Sequence, residues 1–174
     1  MHWKNGVHQI AAMVVIDGEV KDTIDLKVQP NPNCIVEDEA LAVSGITRET
    51  LATYQPFKEG YSQLLKFIAP YVDKFDKKDK FHLVGYNNRG FDDNFLRAFF
   101  VQNGDNYFGS WFWSDSIDVM VLASQRLQGE RHLMENFKLM TVCKYMGIEI
   151  DESKLHDAIY DLEITRELYH RVTA

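Results

Sequence analysis

The 174-residue chain is short of several things, and each shortage removes a class of protein. It has two cysteines, Cys34 and Cys143, too few for a disulfide framework and without the CxxC spacing of a structural zinc site. They read as reduced thiols in a cytoplasmic setting. The longest apolar run, Ile10 to Ile16, stops at Asp17, well short of a bilayer crossing, so no membrane partner is expected. No apolar stretch of the secretory kind follows Met1-His2-Trp3-Lys4. Repeats, linkers and low-complexity stretches are missing too. So is a basic excess: 19 Lys and Arg against 26 Asp and Glu leave a net charge of −7. Proteins that grip duplex nucleic acid by neutralising phosphates usually show the opposite balance. Any nucleic acid must be held by a local site, and metal ions on acidic side chains are one way to make one.

What is present fits a folded domain. Apolar residues make up 45% and charged residues 26%, the globular average, and residues 1–174 are expected to form a single domain. Two strand-like runs, Val7 to Ile16 and Val20 to Val28, flank Asp17-Gly18, the signature of a hairpin. Helices are predicted over Glu37 to Val43, after an N-cap at Thr47, and over Phe57 to Val72. Asp73 to Lys80 is a mixed-charge loop whose signs cancel. Phe81 to Tyr86 reads as a buried strand, Asp93 to Gln102 as a helix and Trp111 to Trp113 as a short extended piece. Helices follow over Ser116 to Leu127, Phe137 to Met146 and Leu155 to Val172. A leading hairpin followed by helices alternating with one or two strands indicates an α/β or α+β domain.

Two segments carry the chemistry. Leu83 to Asp92 runs off a strand, through Asn87-Asn88-Arg89-Gly90-Phe91, into a helix. That puts Asp92 near a strand end, where α/β sheets place ligand-binding groups. Taken singly, Asp92 or Asp93 also reads as a cap of the helix that follows. The second segment is His156-Asp157-Ala158-Ile159-Tyr160-Asp161. Five positions on a helix rotate by about 140°, so His156 and Asp161 converge only if His156 precedes the helix. A surface histidine beside acidic residues is the plainer reading. Asp157 and Asp161, four apart on one face, repel mildly unless a cation or solvent intervenes.

In their order and spacing the two segments resemble the DEDD superfamily of 3′–5′ exonucleases, the proofreading (DnaQ-like) group that serves bacterial replicative DNA polymerase, in its histidine-bearing branch. Asn88 to Leu96 resembles that family's second motif, with Asn87 where histidine is frequent. His156 to Asp161 resembles the third, His-x-Ala-x-x-Asp. Ile117 to Met120 and Phe137 to Ile148 look like connecting helices, and His8 to Ala12 and Ser44 to Thr47 like segments after the first strand. The resemblance runs from residue 6 to 172. It implies an α/β, ribonuclease-H-like mixed β-sheet flanked by helices. It also implies a hydrolase that releases nucleoside monophosphates from single-stranded DNA or RNA 3′ ends. Two divalent ions, Mg²⁺ or Mn²⁺, would activate water and steady the leaving oxygen. Asp92 and Asp161 would be metal ligands, His156 the general base, and Asn88 and Phe91 the substrate-binding residues. A DNA polymerase, a second subunit or a homodimer stays open as partner.

The family's first motif, Asp-x-Glu-Thr-Thr-Gly on the central strand, is not in this sequence. Asp17-Gly18-Glu19 matches the letters, but Asp-Gly between two strands is turn chemistry. The expectation is therefore a domain short of its first central strand, truncated at the N-terminus relative to the family, with impaired activity. A degenerate fold, or a partner chain that completes the sheet, would look the same. The contrasting reading is a non-catalytic module of the same fold that binds nucleic acid or protein. Trp111, Phe112 and Trp113 either stack an unpaired base or belong to the core or to a dimer interface, the latter readings at least as well supported.

Overall fold

The computed structural model describes residues 4–154 and 157–174. Its first feature is the hairpin the sequence predicts. Asp17 and Gly18 both take positive φ, 53° and 81°, the backbone twist that suits a two-residue turn between right-twisted strands. They join β1 (Gln9–Ile16) antiparallel to β2 (Glu19–Lys27), with a bulge between Val14 and Val15. Period-2 alternation sends Ile10, Ala12 and Val14 with Ile24 and Leu26 to one apolar face.

Two short helices, α1 (Asp38–Val43) and α2 (Arg48–Ala52), follow. Thr47 caps α2 as predicted, its hydroxyl accepting from the Thr50 N–H at 3.1 Å. Helix α3 (Phe57–Ile68) stops short of the predicted Val72 because Pro70 lies just beyond it. It packs against β2. The strand predicted over Phe81 to Tyr86 narrows to β3 (Val84–Gly85) plus an isolated bridge from Phe81 to Phe112. Helix α4 (Asp92–Gln102) comes next. The short extended piece expected at Trp111 to Trp113 is found at Phe112, which bridges in parallel to Phe81 with Trp113 N–H donating to the Phe81 carbonyl, while Trp111 closes the helical turn α5 (Phe108–Trp111). The helix expected from Ser116 starts later, because Ile117–Asp118 is a strand, β4, parallel to β3, with α6 (Val119–Arg126) after it. The last elements are α7 (Leu139–Tyr145) and α8 (Ala158–Thr173).

Among the described residues the result is a mixed α/β fold of two small sheets, β1–β2 and β3–β4, flanked by helices. Its side chains form two cores. The first joins the hairpin, α3 and α4 through aromatic rings: Phe99 meets Phe57 edge-on at 4.9 Å, and Phe100 meets Tyr61 and Phe108 edge-on at 5.2 Å. The second joins α6, α7 and α8 through Val119, Ala123, Val142, Cys143, Ile164 and Leu168. Helix α8 also packs on β1, and its Arg166 donates to the Gly18 carbonyl at the hairpin tip (2.6 Å). Both cysteines are free, and burial pushes the Cys143 thiol up to about 12, so it stays a protonated packing group. Among the described residues, no helix is long and apolar enough to cross a membrane.

Candidate active site

The parallel pairing of β3 with β4 sets Gly85 beside Asp118, and the loop after β3 is built on that pair. Asp118 is buried. Its Oδ1 accepts from the Asn87 N–H at 2.9 Å and from the Met120 N–H at 3.0 Å, so one carboxylate caps α6 and fixes the first loop residue. Asn87 turns the chain with φ of 61°, a left-handed conformation that asparagine tolerates better than most residues. The chain then folds back so closely that a Cβ on Gly85 would lie 2.8 Å from the Asn88 Cβ. Only glycine fits there.

A 3-10 turn at Asn88–Gly90 leads into α4. Asn88 is buried, and its Nδ2 donates to Asp93 Oδ1 at 3.1 Å. Ser116 Oγ donates to the other Asp93 oxygen. Asp93 is therefore a brace between the loop and the segment before β4. Neither aspartate caps α4, which starts without a side-chain cap.

Asp92, the neighbour, faces solvent. Its carboxyl is still sheltered enough that desolvation raises its pKa above the ordinary carboxylate value. A bond from its own backbone N–H opposes the rise, and the charges of Asp93 and Asp118 add to it. Phe91, next to it, is 58% exposed and leans on Phe95 at 4.7 Å.

Asp161 lies in the first turn of α8 and is half-buried, with Oδ1 fully covered. Its charge reaches Cys143 in the second core. Asp157 acts differently, capping α8 with its carboxylate, which accepts from Ile159 N–H at 2.9 Å and Tyr160 N–H at 3.0 Å. His156, the expected general base, lies outside the described residues. So the structure joins Asn88, Phe91 and Asp92 in one loop and holds Asp161 on another element. Among the described residues no three His, Cys, Asp or Glu side chains form a group that could hold an ion. The described donors do not by themselves make up a two-ion site.

Sequence reasoning missed two features. Ser116, 23 positions from Asp93, gives no local signal of the bond it makes. A pocket of about 160 Å³ beside Asp93 is lined by Arg89, Asn94, Arg97, Trp113 and Ser116, which puts cationic side chains at a site in an acidic protein. Trp113 is half-buried, 5.0 Å from the Lys80 ammonium and stacked with His82 at 6.1 Å. Trp111 and Phe112 are buried in the first core, which settles them as packing residues rather than base-stacking ones.

Known proteins point the same way. Three solved structures share the fold at low identity. Exonuclease I of E. coli bound to a dT13 oligonucleotide matches with a TM-score of 0.74 and 19% identity, over 99% of this chain and 38% of that one. The zinc-bound form of an E. coli ExoI–ssDNA complex matches at 0.75 and 20%, over 99% and 37%. An ExoI/SSB-Ct complex matches at 0.70 and 20%, over 95% and 36%. The chain thus spans little more than a third of the length of these proteins. No curated protein matches it. The sequence profile of the exonuclease family RNase_T matches residues 3–169, nearly the whole sequence, and the chain belongs to that family.

Proposed function

We propose that the chain is the catalytic part of a 3′–5′ exonuclease that removes nucleoside monophosphates from single-stranded ends, and that it is impaired in isolation. The observation that carries this reading is the division of labour at the start of α4. Asp93 is tied into the fold by Asn88 and Ser116, while Asp92 and Phe91 face outward together. An exposed ring can stack on a terminal base, and the buried Asn88, through Asp93, holds the loop that presents it. Asp92 and Asp161 are the proposed ion ligands and His156 the proposed acceptor of a proton from water, all three by the motif resemblance. Single-stranded DNA is the favoured substrate, by likeness to exonuclease I. Residues 1–174 are one exonuclease domain on this reading, and the proposed ions are Mg²⁺ or Mn²⁺. Metal dependence is a consequence to be tested, because the described carboxylates fall short of a full ligand set.

The test is degradation of 5′-labelled single-stranded DNA and RNA with Mg²⁺, Mn²⁺ or chelator. The expected result is a slow ladder shortening from the 3′ end, abolished by chelator, by Asp92→Asn and by Asp161→Asn. Cleavage that survives chelator, or near-normal rates in either variant, would refute the assignment. Binding of single strands with no cleavage under any condition favours the other reading, a module that keeps the fold and only binds.

A further inference from the structure

The pocket of about 160 Å³ beside Asp93 gathers positive charge in a chain whose net charge is −7. Arg89 lines it from the 3-10 turn and Arg97 from α4, and among the described residues neither guanidinium makes an ion pair. Both are nevertheless held. The Arg97 guanidinium lies 4.4 Å from the ring centre of Phe108, a buried residue of the first core. A guanidinium resting on a ring keeps its N–H edge for a ligand. The Asn94 amide donates to the Arg89 carbonyl at 3.2 Å and so fixes the turn that carries Arg89. Lys80, 5.0 Å from the ring of Trp113, adds a third charge nearby. The Asp93 oxygens, by contrast, are already engaged by Asn88 and Ser116. What stays open is two guanidinium edges and the Ser114 hydroxyl, donors that call for an anion.

We infer that this pocket binds one backbone phosphate of a single strand, the phosphate one nucleotide upstream of the linkage presented at Asp92. Size and place both enter. The space equals about five waters at about 30 Å³ each, enough for a phosphodiester group and too little for a nucleoside. Asp93 at its wall and Asp92 are consecutive, with Cα atoms about 3.8 Å apart, so pocket and candidate ligand share the first turn of α4. A strand whose last base lies on Phe91 brings its next phosphate within reach of Arg89 and Arg97. This placement rests on the nuclease reading. The Asp93 charge repels any anion, which disfavours a free ion. A phosphate tethered to a strand already seated at the loop arrives at high effective concentration and overcomes that repulsion. The pocket therefore selects a strand that continues upstream over a lone nucleotide.

The experiment uses the 174-residue chain, chelator to prevent cleavage, and 5′-labelled thymidine oligonucleotides of about six residues. In each, a neutral methylphosphonate replaces one linkage. Fluorescence anisotropy should show affinity falling about tenfold when the second linkage from the 3′ end is neutral, and far less for linkages farther upstream. The slope of log affinity against log salt should shrink by about 0.7 with that same linkage. In Arg97→Gln and Arg89→Gln the upstream linkages should become equivalent, while Arg97→Lys keeps part of the preference. Should Arg97→Gln unfold the chain through its lost contact with Phe108, Arg89→Gln, in an exposed turn, carries the test. No binding, no linkage preference, a preference elsewhere, or one that survives both Gln variants would overturn the inference. Inorganic phosphate at matched ionic strength should not displace the strand, and displacement would overturn the tethering. If the preference is found but no 3′ end is trimmed with any metal, the phosphate pocket stands and the exonuclease reading falls. Trimming without the preference does the reverse.

Discussion

The two cores hold the two halves of the site by different means. The loop carrying Asn88, Phe91 and Asp92 stands on α4, whose Phe99 and Phe100 lie in a set of edge-to-face rings. Such contacts are directional, and the loop adds directional bonds of its own through Asp93 and Asp118. Asp161 stands on α8, which meets α6 and α7 through Val142, Cys143, Ile164 and Leu168. Aliphatic packing fixes volume more than angle. The first half is therefore held in shape by its contacts, while the second is held in place by the docking of a helix. A candidate site assembled this way has one rigid wall and one that follows its helix.

The contrast can be broken most directly in the cores. Phe99→Ala should destabilise the fold by about 3–5 kcal/mol, whereas Leu168→Met should cost less than about 1.5 kcal/mol. Urea midpoints of the two variants measure it, and equal losses would mean the cores do not differ. The next effect separates neighbours. Asp93→Ala leaves the Asn88 amide and the Ser116 hydroxyl without their acceptor and should cost about 1–3 kcal/mol. Asp92→Ala should cost far less, although on the proposed ligand role it should abolish cleavage. A comparable drop in melting temperature for both would erase the distinction between brace and ligand. Asp118→Ala should cost about 1–2 kcal/mol through the lost α6 cap, read the same way.

The smallest effect is in pH dependence. The folded state raises the Asp92 pKa, so it holds that proton more tightly than the unfolded chain. Stability from this group is present below the ordinary carboxylate range and falls as pH rises through the folded value. Asp92→Asn should therefore gain slightly on the parent at neutral pH, with the gain vanishing in acid. Because Asp92 faces water the difference is small, and calorimetry at pH 3 and pH 7 would show it. A variant that is less stable at neutral pH would reverse the sign.

Much of this was legible in the residues. Asp17-Gly18 announces the hairpin because few other dipeptides accept two positive φ angles in a row. The Asn88 to Leu96 segment announces a loop entering a helix, and α4 begins there. What stayed hidden depends on partners distant in sequence. Ser116 gave no hint of Asp93, and a two-residue parallel strand at Ile117–Asp118 is too short to show a period, so Asp118 looked like helix. Trp111 and Phe112 were open in the sequence between stacking and packing, and the first core closes over them. Local pattern predicts elements, and contact across the chain decides which side chains remain outside.

The bond from Arg166 to the Gly18 carbonyl bears on the order of assembly. It joins positions 148 apart, and it belongs to the same helix that carries Asp161. Contacts of such sequence separation close late, after the entropy of the intervening chain has been overcome. During synthesis the hairpin and the Asp92 loop can take shape while α8 has yet to emerge. On the proposed reading Asp161 then joins Asp92 only after α8 has docked, so a fragment that has folded its first core has yet to bring the two carboxylates into one molecule's fold.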